Sequence, residues 1–110
     1  MTWKTYQDKK EKTPAELLYI EVIKKAFSDV FNLGNASEQH QKLLQSQAKT
    51  WFNEHNKDFR LICEYAGTEP EYIIRIYDNL MYNYNSGKIT KEKLKFGISR
   101  LELKIWIYFT

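Results

Sequence analysis

The chain has only one cysteine in 110 residues, Cys63. That excludes an internal disulfide and fits a reducing, cytoplasmic compartment better than a secreted scaffold. Proline stands at two positions and glycine at four, and no Gly-rich phosphate loop, nucleophile elbow or paired-carboxylate motif occurs, so an enzyme is not expected. His40, His55 and Cys63 are the only soft metal-ligand candidates, and no pair of them has the spacing of a zinc motif, so neither a metal nor another cofactor is expected. Long apolar runs are missing too. The opening MTWKTYQDKKEK places no apolar core behind its charges, and IWIYF, over 105–109, is far shorter than the roughly 20 residues of a membrane span. The expectation is a soluble protein with no membrane partner.

What is present is enough for one core. Hydrophobic residues make up 43% of the chain and aromatics 15%, which separates it from disordered sequences and suits a single domain. Residues 1–12 are charged and without periodicity, which predicts a flexible lead-in ahead of one helical domain over 13–110. No internal repeat or low-complexity segment is visible.

Helical signals begin at Thr13-Pro14-Ala15-Glu16, where a hydroxyl N-cap, a first-turn proline and a glutamate three residues on make a capping box. Leu18/Tyr19, Val22/Ile23, Ala26/Phe27 and Val30/Phe31 then recur at helical spacing, and Gly34 is the expected stop. A second helix is predicted from a Ser37 cap, with Leu43/Leu44, Gln47/Ala48, Trp51/Phe52 and His55 down one face. After the turn-forming NEHNKD, Phe59, Ile62, Cys63 and Ala66 predict a short third helix ending at Gly67. Thr68-Glu69-Pro70-Glu71 repeats the Thr13 pattern and opens a fourth, whose inner residues are Ile73, Ile76/Tyr77, Leu80 and Tyr84, with a stop near Ser86-Gly87. The segment after Lys91 matches two templates. Leu101, Leu103, Ile105, Ile107 and Phe109 alternate as in a strand, whereas Leu94, Ile98, Leu101, Ile105 and Tyr108 keep helical spacing. A strand would have only TWKTY, near the N-terminus, as a partner, so a helix from about Lys91 is the preferred reading, although Gly97 costs it roughly 1 kcal/mol relative to Ala. The fold expected is all-α, a compact bundle of four to five helices.

Residues 58–86 have the layout of a helix-turn-helix. Cys63 is the small residue where two helices approach, Gly67 the corner tolerant of positive φ, and Ile62, Ala66, Ile73 and Ile76 the apolar contacts at the offsets such a corner needs. The stretch CEYAGTEPEYIIRIYDN resembles the Ala-Gly-x-x-Pro-x-Tyr-Ile/Val-x-Arg core of phage-repressor-type helix-turn-helix regulators. The wider string Trp51-Phe52, Asp58-Phe59, Ile62-Cys63, Ala66-Gly67, Pro70 also resembles small uncharacterised phage- or prophage-borne proteins. The motif normally has an apolar residue after the corner, where this chain has Thr68. The resemblance implies a small DNA-binding, transcription-associated protein, its partner double-stranded DNA.

Charge qualifies that implication. The net charge is +3 and the pI about 8.9. Between Thr68 and Ser86, Arg75 is the sole base against Glu69, Glu71 and Asp78, and carboxylates on a recognition helix repel phosphates. Glu71 can still accept from a cytosine amine and Arg75 can pair with a guanine edge, with Asn79 one turn further on the same side. Backbone attraction would then come from Lys91, Lys93, Lys95 and Arg100. The alternative is an interaction module that turns Glu69, Glu71, Ile74 and Asp78 to a protein partner or to a second copy. Trp51, Phe52, Phe59, Tyr65, Tyr72 and Tyr77 read as core rather than as a base-stacking platform.

Overall fold

A computed structural model describes residues 12–99. The lead-in over 1–11, Arg100 and the alternating residues over 101–109 lie outside the described residues. The described chain is all-helical, five helices with no strand: α1 (Pro14–Val30), α2 (Glu38–Trp51), α3 (Lys57–Ala66), α4 (Pro70–Asn85) and α5 (Lys91–Ser99). α1 is the axis of the assembly. It packs against α2, α3 and α5, while α4 packs on α3.

Each start has a local cause. Thr13 accepts from the Glu16 amide at 3.1 Å while Glu16 accepts from the Thr13 amide at 2.9 Å, the reciprocal capping box. Ser37, Asn56 and Thr90 cap α2, α3 and α5 through their side-chain oxygens. α4 differs from its expected design, because its N-cap is Glu69, with no side-chain bond, and Pro70 follows at its first position. Thr68 is not the cap, since it is already engaged in ending α3. Its amide donates to the Cys63 carbonyl at 3.0 Å while the Gly67 amide donates to Glu64 at 3.0 Å, the paired closure of a Schellman motif around a left-handed residue.

The same closure ends α1 and α4. Asn32, at φ 57°, donates to Asp29 and Leu33 donates to Ser28; Gly87, at φ 81°, donates to Tyr84 and Lys88 donates to Asn83. The stop of α1 is therefore Asn32 rather than Gly34, because the asparagine tolerates the left-handed region and is reached first. Gln45 then secures the exposed end by donating to the Val30 carbonyl at 2.7 Å.

The core is Ile20, Ile23, Phe27, Val30 and Phe31 of α1 and its end, Ala48 and Phe52, Phe59, Cys63 and Ala66, Ile73, Ile76 and Leu80, and Leu94 and Ile98. Ile23, Phe27, Val30 and Phe31 face inward as expected, but one edge of the expected face of α1 does not. Leu18 and Val22 are exposed while Ile20 is buried, since residues four apart share a stripe and the Leu18/Val22 stripe lies roughly 100° round from that of Ile23 and Phe27. On α2 only Ala48 is buried, Leu43 is exposed, and His55 sits in the following turn in solvent rather than beside the aromatics. Those aromatics are the densest part of the core. Phe52 stacks on Tyr77 with centroids 4.7 Å apart, tilts against Phe27 at 4.7 Å, and meets Phe59 at 5.8 Å, while Trp51 stands edge-on to Phe59 at 5.0 Å. Fully burying one such ring contributes ~1.5–3 kcal/mol against the ~1 kcal/mol typical of a cap, so this cluster holds the α2–α3 turn to α1 and α4. Tyr72 and Tyr77 are half-buried, and Tyr65 is exposed and leans on Tyr19 at 5.0 Å, so the expected aromatic core is only partly inside.

Candidate functional site

The corner between α3 and α4 is built as its motif residues require. Cys63, Ala66, Ile73 and Ile76 are fully buried, and Gly67 has φ 77°. The left-handed conformation is what calls for glycine here; a Cβ on Gly67 would also stand 2.6 Å from Glu16 Oε2 and 2.8 Å from Lys12 Nζ, so the ends of those two flexible side chains would have to shift. Lys12 is anchored there, donating to the Gly67 carbonyl at 3.0 Å and to the Ala66 carbonyl at 3.3 Å. A cation at the carbonyl end of α3 is favoured by the helix dipole, and it ties the first described residue to the corner. Lys12, the last residue of the expected lead-in, is thus held against the corner.

Burial pushes the Cys63 thiol up to about 12, with the Glu71 carboxylate adding to the shift and the Arg60 guanidinium opposing it. A thiol so placed is a packing group, not a nucleophile at neutral pH. Burial also raises the hydroxyls of Tyr72 and Tyr77, with Arg75 opposing the first shift and Asp78 adding to the second.

The outer stripe of α4 is Glu71, Arg75, Asp78 and Tyr82, one helical turn apart and exposed; Asn79, at its side, is half-buried. Ile74 is half-buried against the core, so the isoleucine expected to be exposed on this face is largely withdrawn from it. One group that the sequence pattern does not single out joins the stripe. Arg60 of α3 places Nη1 3.6 Å from Glu71 Oε2 across the corner and donates to the Glu54 carbonyl at 2.9 Å. Eleven residues of separation and a change of helix hide that pair from any periodicity. Lys57, Arg60 and Pro70 also edge an open groove of about 600 Å³ over the corner.

Lys91, Lys93 and Lys95 are exposed on α5. That helix packs on α1, and Lys24 of α1 caps its end by donating to the Ser99 carbonyl at 3.2 Å. The lysines and Arg75 are thus carried by elements that pack on different neighbours, α5 on α1 and α4 on α3. Arg100 lies outside the described residues. The described part as a whole carries nearly as many carboxylates as ammonium and guanidinium groups. Among the described residues no group of three His, Cys, Asp or Glu side chains is placed to hold a metal ion, and no helix is long and apolar enough to cross a membrane.

No known protein family matches the chain, and no curated protein or solved structure matches it.

Proposed function

We propose that the protein is a small DNA-binding, transcription-associated helix-turn-helix protein of the phage-repressor type, with α4 as the helix that meets the duplex. The observation that carries this reading is the corner itself: a left-handed Gly67, three residues between α3 and α4, and an α4 held from behind by Ile73, Ile76 and Leu80 while Arg75 faces outward. Arg60 supports it. By engaging Glu71 it offsets one of the carboxylates that would repel phosphate and brings a second guanidinium beside the start of α4. In this reading Arg75 contacts a base edge or phosphate, Glu71 and Asn79 flank it, and Lys91, Lys93, Lys95 and Arg100 add attraction independent of sequence.

Fluorescence anisotropy with random and genomic duplexes tests the proposal. Binding should weaken steeply with added salt, and replacing Lys91, Lys93 and Lys95 by glutamine should reduce the salt slope by about one for each phosphate left without its cation. Failure to bind any duplex at low salt, by a chain shown to be folded, would sink it. A second reading uses the same surface for a protein partner or a second copy, and the carboxylates Glu69, Glu71 and Asp78 around Arg75 favour it. There Arg75→Glu abolishes association while the three lysine replacements leave it unchanged.

A further inference from the structure

A second surface lies on the bundle, built without any residue of α4 or α5. Between α1, α2 and α3 runs an open, mainly apolar groove of about 300 Å³ whose walls are Val22, Leu44, Trp51 and Ile62. Ala26 and Ala48 also line it, and the room exists because these two positions present only methyl groups. Exposed apolar side chains lie one turn beyond two of these walls. Leu18, one turn before Val22, is 62% exposed, and Tyr65, one turn after Ile62, is 45% exposed. Single exposed apolar residues are ordinary, but several bordering one apolar groove mark a contact surface.

The polar edge gives the groove a sign. Lys25 is neutralised by Asp29, Nζ to Oδ1 at 2.6 Å. Among the described residues no cation is paired with Asp58; its Oδ2 accepts from the Trp51 indole at 2.7 Å, which fixes the indole as a wall and leaves the carboxylate with unused acceptor capacity. The edge is therefore acidic at one point, Asp58, directly beside the apolar wall.

We propose that this groove docks an amphipathic helix of a partner protein, one or two large apolar side chains entering between Val22, Trp51 and Ile62 while a lysine or arginine one turn away pairs with Asp58. A cleft between helices of this volume takes side-chain anchors spaced at i, i+3 or i+4, and a flanking cation meets the carboxylate on its edge. The site is separate from the surface assigned to DNA, so either can hold if the other fails.

The test uses two synthetic helical peptides with identical leucine and phenylalanine anchors, flanked by lysine in one and glutamate in the other, titrated into the ¹⁵N-labelled full chain. The lysine peptide should bind saturably, with shifts concentrated at Ala26, Ala48, Ile62 and the Trp51 indole, and at least about tenfold more tightly than the glutamate peptide. Asp58→Asn keeps an acceptor for the indole and should erase that preference with the fold intact. Absence of saturable shifts at the groove, equal affinity for the two peptides, or a preference that survives Asp58→Asn would overturn the proposal. So would a dimer of the chain that dissociates on Val22→Lys, since the groove would then be filled by a second copy.

Discussion

The Gly67 carbonyl accepts a hydrogen bond from the Lys12 ammonium at 3.0 Å across 55 residues of sequence. The residue ahead of α1 thereby clamps the corner between α3 and α4, and a side chain on Gly67 would have to displace that clamp. Gly87 has a similar φ of 81° but nothing within 4 Å of the place a Cβ would take. The two glycines therefore separate conformational cost from steric cost.

Gly87→Ala should lower stability by about 1 kcal/mol, the penalty of a left-handed non-glycine residue. Gly67→Ala should lower it by about 1–2 kcal/mol, because the flexible ends of Glu16 and Lys12 must also shift. Urea unfolding of both variants measures the difference, and equal losses would show that the clamp contributes nothing.

Thr13→Ala should cost ~0.5–2 kcal/mol through loss of the capping box, whereas Thr68→Ala should change stability by less than about 0.5 kcal/mol, since the Thr68 hydroxyl caps nothing and its amide bond survives the change. Thermal melts of the two variants side by side decide this. The comparison is informative because both threonines precede a proline and a glutamate at similar distances.

Much of that contrast explains what the sequence could reveal. Thr13, Glu16 and Pro14 act within one turn, so their pattern is sufficient, and Gly67 with Ile73, Ile76 and Leu80 is legible for the same reason. Thr68 misleads because two helices compete for it, and the closure of α3 takes it before α4 begins. The exact edge of the inward face of α1 is hidden because Leu18 and Val22 on one side of Ile23 and Phe27, and Ile20 on the other, satisfy helical spacing equally well; which side turns inward is settled by where the neighbouring helices lie. Arg60 and Glu71, and the groove whose edge includes Asp58, arise only when helices meet, so no local pattern announces them.

Asn32 tests how a side chain fares at a helix end that needs only backbone. Its Oδ1 is buried and receives no hydrogen bond among the described residues, and an unsatisfied buried acceptor costs ~1–3 kcal/mol. Asn32→Gly should therefore be neutral or stabilise by up to about 1 kcal/mol, while Asn32→Ala, which strains the left-handed backbone, should destabilise by about 1 kcal/mol. Urea midpoints that fall equally for both would contradict this account.

The buried Cys63 thiol sets a pH dependence. Its pKa rises from 9.0 to about 12 on folding, so the folded state holds the proton more tightly than the unfolded chain. The associated stability is complete below pH 9 and is lost progressively as pH climbs toward 12. Tyr72 and Tyr77, also raised, add losses of the same sign from about pH 10 upward. Urea midpoints should decline from about pH 9, and Cys63→Ala should flatten the first part of the decline. At about pH 8 a disulfide reagent should label the native thiol only as fast as the chain opens.

The reversals after α1, α3 and α4 are each closed by main-chain bonds around one left-handed residue, at Asn32, Gly67 and Gly87. Where α4 stands is consequently decided by residues other than Glu71, Arg75, Asp78 and Tyr82, which decide what it meets. Placement and recognition are written in separate letters. The outer face of α4 can be rewritten wholesale, by selection or by design, and a library randomised at those four positions should yield folded proteins with new preferences.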